Sequence, residues 1–233
     1  MRLILLGWVR PKDCSIDFKE NSLKLFKGIE VYETLQEIID PRHTCLVVWD
    51  VQIGLVDSCF NKNSFIKNLK TLIETARGKM PIAYTRITPL PKVFTSSWNL
   101  YRMLKRFKTD DLEKLPVSMA PGSREREIPS EVSPMPEDLV IDKSTPNIFL
   151  GTAFESMMRN RGITTLIFTG IATEIGVETS ARDAGARGFY PVIVSDCVSS
   201  RDEEAHKRSL LNMSKAYITA DSAEVIQGLT KIP

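Results

Sequence analysis

Six short apolar runs punctuate the chain, and they show no regular alternation with polar residues. They are Thr44–Asp50, Pro81–Thr85, Leu139–Asp142, Thr165–Thr169, Pro191–Ser195 and the weaker Ala216–Thr219. A strand with one solvated face alternates with period two, whereas a continuous run calls for cover on both faces, as in a parallel sheet between helices. Stretches with helical spacing lie between the runs. Asn63 to Lys79 carries Phe65, Ile66, Leu69, Leu72, Ile73 and Ala76 at that spacing, and Ala153–Arg161, Glu174–Arg187 and Asp202–Lys215 follow. Gly78, Gly162 and Gly188 stand near helix ends, where a left-handed C-terminal residue is favoured. The alternation predicts the α/β class: a three-layer α/β/α sandwich on a mostly parallel sheet with right-handed crossovers.

Two segments fall outside that rhythm. Residues 1–43 precede the first core strand and are expected to form an N-terminal extension on or beside the domain 44–233. Residues 86–138 hold more than half of the 13 prolines. A stretch of that length inside one domain reads as an insertion, a lid or a subunit contact. A chain of 233 residues suits one large domain that buries about 70% of its unfolded surface without disulfide or metal staples. Its 31 Lys and Arg against 29 Asp and Glu leave +2, which gives no case for nucleic-acid or membrane partners. The apolar run near the N-terminus is far shorter than the roughly 20 residues a membrane span needs. The four cysteines, Cys14, Cys45, Cys59 and Cys197, form no C-x-x-C pair and read as reduced thiols of a cytoplasmic protein.

Ligands of open α/β sheets bind beyond the carboxyl ends of the strands. Four places qualify: Asp50, Lys143, the turn Gly170–Gly176, and Asp196. A carboxylate and an ammonium on neighbouring strand ends can form a desolvated acid–base pair in which each shifts the other. The alternative is that Asp50 caps a helix and Lys143 is a solvated loop residue. The turn offers backbone N–H groups at a helix N-terminus to an anion or oxyanion. Its alternative is ordinary capping by Thr173 with Glu174 just inside.

Asp50-Val-Gln52, Lys143 to Thr152, Gly162 to Ala184, Gly188-Phe and Ser195 to Ser200 together resemble the isochorismatase-like hydrolase superfamily over roughly residues 41–220. The resemblance implies a three-layer α/β/α fold and, in most members, cleavage of C–N bonds through an Asp, Lys and Cys triad. Asp50 matches the family acid and Lys143 the family amine. Gly176 stands where the nucleophilic cysteine is expected, so no thiol ester can form there. Isochorismatases proper resemble this chain in that glycine. In them the acid protonates a vinyl ether and water attacks, which requires Asp50 to be held protonated in a dry pocket. This chain departs from them in having Thr145 where they carry an arginine, and Ile171-Ala172-Thr173 in the turn.

The same resemblance carries further expectations. Nicotinamidases of the family bind metal through Asp-x-His; here the tripeptide ends in Gln52, and with only His43 and His206 in the chain no metal or other cofactor is expected. His206 is expected to pack under the site loops. A cis peptide is implied at Ile171–Ala172. Gln52, Ile171, Ala172, Thr173 and Ile175 are expected around a small-molecule substrate, with Trp98, Tyr101 and Phe94 as candidate walls. A homodimer or homotetramer is implied. The expected function is small-molecule hydrolysis by Asp50 and Lys143, with Gly176 leaving the covalent route closed. A catalytically silent binding protein, and an amidase recruiting Cys59 or Cys197, are the alternatives.

Overall fold

The structure, a computed structural model, describes residues 24–231; most of the expected N-terminal extension, with Cys14, lies outside them. It opens with an antiparallel hairpin of β1 (Lys24–Phe26) and β2 (Ile29–Val31). Helix α1 (Leu35–Ile38) follows, held by a reciprocal Thr34–Glu37 capping box, and it delivers Ile38 and Ile39 to the core. The main body runs β3 (Thr44–Trp49), α2 (Ile53–Val56), α3 (Lys62–Ala76), β4 (Ile82–Ile87), α4 (Ser97–Phe107) and β5 (Leu139–Lys143). It continues through α5 (Phe154–Asn160), β6 (Thr165–Ile171), α6 (Glu178–Ala186), β7 (Tyr190–Ser199), α7 (Glu203–Ser214), β8 (Ile218–Ala220) and α8 (Ser222–Thr230).

Strands β3 to β8 form one parallel sheet in the order β5-β4-β3-β6-β7-β8. The fully buried strands β3 and β6 sit at its centre, as their unbroken apolar runs require. Alternate residues of β3 feed opposite layers. Leu46 and Val48 pack with Phe65, Leu69 and Leu72 of α3 and Val225 and Leu229 of α8. Cys45, Val47 and Trp49 pack with Phe154 of α5, Ala181 of α6 and Met213 of α7. Trp49 therefore belongs to the α5–α6–α7 side.

Three features differ from the sequence reading. Helix α8 was not anticipated, although Asp221 and Glu224 form a capping box at its start. The helix expected from Glu174 begins at Glu178, after a wide π-type turn over Thr173–Val177. Strand β7 extends to Ser199 and slips register against β6 between Phe168 and Gly170, so Asp196 lies within the strand instead of closing it.

Candidate active site

Strands β3, β4 and β5 lie side by side, so the groups at their carboxyl ends converge. Asp50 follows β3 with φ at +46°, a left-handed conformation that non-glycine residues adopt mainly where surroundings enforce it. Thr85 of β4 enforces it: its Oγ1 accepts from the Asp50 N–H at 3.0 Å and donates to Asp50 Oδ1 at 2.6 Å. Lys143 reaches across from β5 and donates to Asp50 Oδ2 at 2.7 Å and to the Thr145 carbonyl at 3.1 Å. The side chains of Lys143 and Asp50 are only 1% and 7% exposed. Asp50 is thus no helix cap, and Lys143 is no solvated loop residue.

Burial dominates the electrostatics of the pair. It pushes the Asp50 carboxyl above the usual carboxylate range, with the Lys143 ammonium and the Thr85 hydroxyl pulling against it. It pulls Lys143 below the usual ammonium range, opposed by Asp50. Both shifts work against the charged forms and bring the proton affinities of the two groups closer together.

Next to the pair, the sequence reading missed Trp49. Its indole is 1% exposed, and Lys143 Nζ sits 3.8 Å from the ring centroid. Glycines grip this residue on two sides. A Cβ on Gly176 would lie 2.0 Å from Trp49 Nε1 and 2.3 Å from Cε2, and one on Gly170 (φ +107°) would lie 2.0 Å from the Trp49 carbonyl oxygen. The space in which a side chain at 176 would begin is filled by indole. A tryptophan at the end of an apolar strand reads as core; the signal available was its position immediately before the strand-end acid. Thr85, inside β4 two residues before its end, was the other residue missed.

The turn after β6 behaves differently from the anion cradle foreseen. The Ile171–Ala172 peptide is cis, as the resemblance implied. The N–H groups of Ile175, Gly176 and Val177 all converge on the Ala172 carbonyl, at 3.2, 3.1 and 3.3 Å. The Gly176 amide is therefore engaged within its own turn. Thr173 does not cap either: its hydroxyl donates to the Ser199 carbonyl at 3.1 Å and meets His206 Nδ1 at 2.8 Å. His206 packs against Phe60 at 5.1 Å between centroids. Ile171 and Thr173 are buried, Ala172 half-buried and Ile175 exposed.

Other expected site residues are engaged elsewhere. The Gln52 amide is wholly buried and tied to backbone: Oε1 accepts from Ile87 N–H at 2.7 Å, and Nε2 donates to the carbonyls of Ile87 and Arg126 at 3.3 and 3.2 Å. Trp98 is exposed on α4 and stacks on Tyr101. Asp196 accepts from Asn68 and from the N–H and hydroxyl of Ser222, anchoring α8. Burial raises the thiols of Cys59 and Cys197, and that of Cys45 to about 12, which leaves none of them activated as a nucleophile. Among the described residues no cluster of three or more His, Cys, Asp or Glu side chains comes together to hold a metal, and no helix is long and apolar enough to cross a membrane.

A parallel sheet covered on both faces, with an acid after β3 and an amine at the end of β5 meeting across the intervening β4, defines the class of this protein. The Isochorismatase domain family matches residues 44–224, and the chain belongs to that hydrolase family. An isochorismatase family protein from Burkholderia thailandensis superposes with a TM-score of 0.67 at 27% identity, covering 81% of this chain and 96% of the other. A cysteine hydrolase from Pseudomonas syringae pv. phaseolicola shares the fold, with a TM-score of 0.70 at 19% identity over 92% of this chain and 100% of the other. Among curated proteins, the ureidoacrylate amidohydrolase RutB of Acinetobacter baylyi is 36% identical over 100 residues, which are 42% of this chain and 41% of that protein. The RutB of Methylobacterium radiotolerans is 28% identical over 138 residues, 59% of this chain and 53% of that protein. The chain thus spans about half the length of the curated relatives it matches.

Proposed function

We propose that the protein hydrolyses a small molecule by acid–base chemistry on Asp50 and Lys143, without a covalent enzyme intermediate. The observation that carries this reading is the desolvated ion pair itself, 2.7 Å from Nζ to Oδ2. A buried pair of this kind is often no more stabilising than packed apolar residues of the same volume, so its place at the sheet's ligand-binding edge favours a chemical role. Asp50 carries the proton. On an amide or ureido substrate its carboxylate takes a proton from water as the hydroxyl attacks the carbonyl carbon. The same proton then goes to the leaving nitrogen as the C–N bond breaks. On a vinyl ether the protonated acid delivers its proton to carbon, water adds to the oxocarbenium ion and gives its proton back to Asp50, and the hemiketal collapses with cleavage of the C–O bond to a carbonyl compound and an alcohol. Lys143 offsets the charge that appears on Asp50 in either course. Gly176 contributes room for Trp49 in place of a reactive group. The RutB likeness makes ureido and amide compounds the first substrates to try. A homodimer or homotetramer acting in the cytoplasm belongs to the same proposal.

The test is turnover on a panel of small ureido compounds, amides and vinyl ethers, with Asp50→Asn beside the wild type. Activity that survives Asp50→Asn unchanged removes the assigned role. The second reading, a catalytically silent binding protein, is favoured by the indole that fills the thiol's place. It predicts ligand binding by calorimetry with no turnover on any panel member. An amidase using Cys59 or Cys197 predicts that alkylating the wild type abolishes activity; the raised thiols speak against it.

A further inference from the structure

We infer that Trp49 is a positioning residue for the acid–amine pair: its indole, held edge-on against Gly176, supports the Lys143 ammonium on its face and aims it at Asp50. The inference rests on the reading that Asp50 and Lys143 do the chemistry, and it adds a third member to that pair.

The ammonium has three donors. One goes to Asp50 Oδ2 and one to the Thr145 carbonyl. The remaining side of the charge lies over the Trp49 ring at 3.8 Å from its centroid, well inside the roughly 6 Å within which a ring quadrupole attracts a cation. With water excluded from both partners, that attraction is at its strongest. The ring itself has no freedom to leave, because Gly176 abuts its Nε1 edge and Gly170 abuts its backbone. A bare glycine at 176 is therefore the complement of the indole: the two positions form one packed unit.

Other charged groups nearby are committed elsewhere. Arg86 of β4 and Asp142 of β5 pair with each other at 2.8 Å, and Arg126 of the insertion joins Asp142 at 2.7 Å; strand alternation turns these away from Thr85 and Lys143. Glu174, beyond the β6 turn, accepts from Ser200. Asp50 is the charged group that acts on the ammonium, and the Thr145 carbonyl and the indole are its remaining supports.

The experiment follows the proton on Lys143 directly. Full-length protein labelled with 15N-lysine is titrated upward in pH, and the ammonium signal lost in Lys143→Met is assigned to Lys143. With Trp8 and Trp98 changed to Phe, the single indole at 49 is replaced by 5-fluorotryptophan, which keeps the shape, weakens the ring quadrupole and places fluorine away from the Gly176 edge. The expected result is a Lys143 that releases its proton at lower pH in the fluorinated protein. In Trp49→Leu the drop is larger, about tenfold in proton affinity or one pH unit, with partial recovery in Trp49→Phe. Midpoints that coincide in the native and fluorinated proteins overturn the inference and reduce Trp49 to packing; the fluorinated pair decides the matter alone should Trp49→Leu not fold. No turnover is needed. A failed Asp50→Asn test with a shifted midpoint would sink only the catalytic reading, and an unshifted midpoint with Asp50-dependent turnover would sink only this one.

Discussion

The ends of β3, β4 and β5 and the insertion after β4 lie close in the chain yet are built on opposite principles. At the strand ends the charged atoms of Asp50 and Lys143 are buried and paired, Thr85 bonds Asp50 twice, and the indole of Trp49 is locked between glycines. In the insertion, α4 buries none of its residues, and Val93, Phe94, Trp98 and Tyr101 all stand exposed. The first region is held by tertiary contacts that tolerate no change of volume or charge. Around α4 the second is held mainly by its own turns, such as the Ser96 cap at the start of α4 and the Lys92 bonds to the carbonyls of Leu112 and Glu113, while its later part is tied to the body through Arg126 and the buried Val132. Chemistry that needs fixed distances fits the first region; a segment that must move to admit a ligand fits the second.

The sharpest contrast comes from removing one member of the ion pair. Lys143→Met leaves a buried carboxylate without its cation and should destabilise the protein by about 3–5 kcal/mol at neutral pH, read from urea denaturation. The loss should depend on pH in a defined direction. Burial already raises Asp50, and Lys143 is what restrains that rise, so without the lysine the folded-state value climbs further. A group raised on folding gives its stability below its unfolded value, about 3.9, and loses it as pH climbs through the folded value. Lys143→Met should therefore be closest to wild type near pH 4 and fall away as pH rises. A constant difference across that range would show that Asp50 stays charged in the variant and that the pair is less desolvated than the structure has it.

The next effect is steric. Gly176→Ala puts a Cβ 2.0 Å from Trp49 Nε1, and overpacking of this kind typically costs about 1–3 kcal/mol. Trp49→Val should relieve most of that penalty, so that the two changes together are milder than their sum. Gly176→Cys is subject to the same conflict, and a thiol at 176 should alkylate readily only when the indole is also removed. Additive losses in the double variant would mean that the turn, with its three amides on the Ala172 carbonyl, refuses a side chain for reasons of its own.

The two regions were also unequally legible in the sequence. The sheet could be read because β3 and β6 are buried on both faces and their residues run apolar without interruption. Asp50 and Lys143 could be read because they follow apolar runs at the strand ends where such sheets bind ligands and match the family's acid and amine; Asp196, singled out on position alone, anchors α8 instead. Trp49 could not, because an indole in an apolar strand looks like core, and its meaning comes from Gly176, which only the fold brings against it. The amides of the β6 turn read either as anion donors or as an ordinary capped helix start, because sequence does not show that they close on the Ala172 carbonyl. The family resemblance implies Gln52 in the pocket, whereas its amide holds the end of β4 and the Arg126 segment together. Local pattern finds the residues that must be buried or charged; it does not find which partner each has taken.

The smallest effect belongs to α4. Trp98→Ala and Tyr101→Ala remove rings that stack on each other, with Lys105 over Tyr101, on a helix that buries nothing. Each should change global stability by no more than about 0.5 kcal/mol, as exposed substitutions usually do. If the insertion admits or covers the ligand and the proposed chemistry rests on Asp50 and Lys143, the same variants should raise KM while leaving kcat near the wild-type value. Loss of kcat with unchanged KM would place these rings in contact with the reacting atoms and erase the division of labour between the two regions. A change in neither constant would make α4 a bystander to the reaction and leave its exposed aromatic rings to be explained by something other than the substrate.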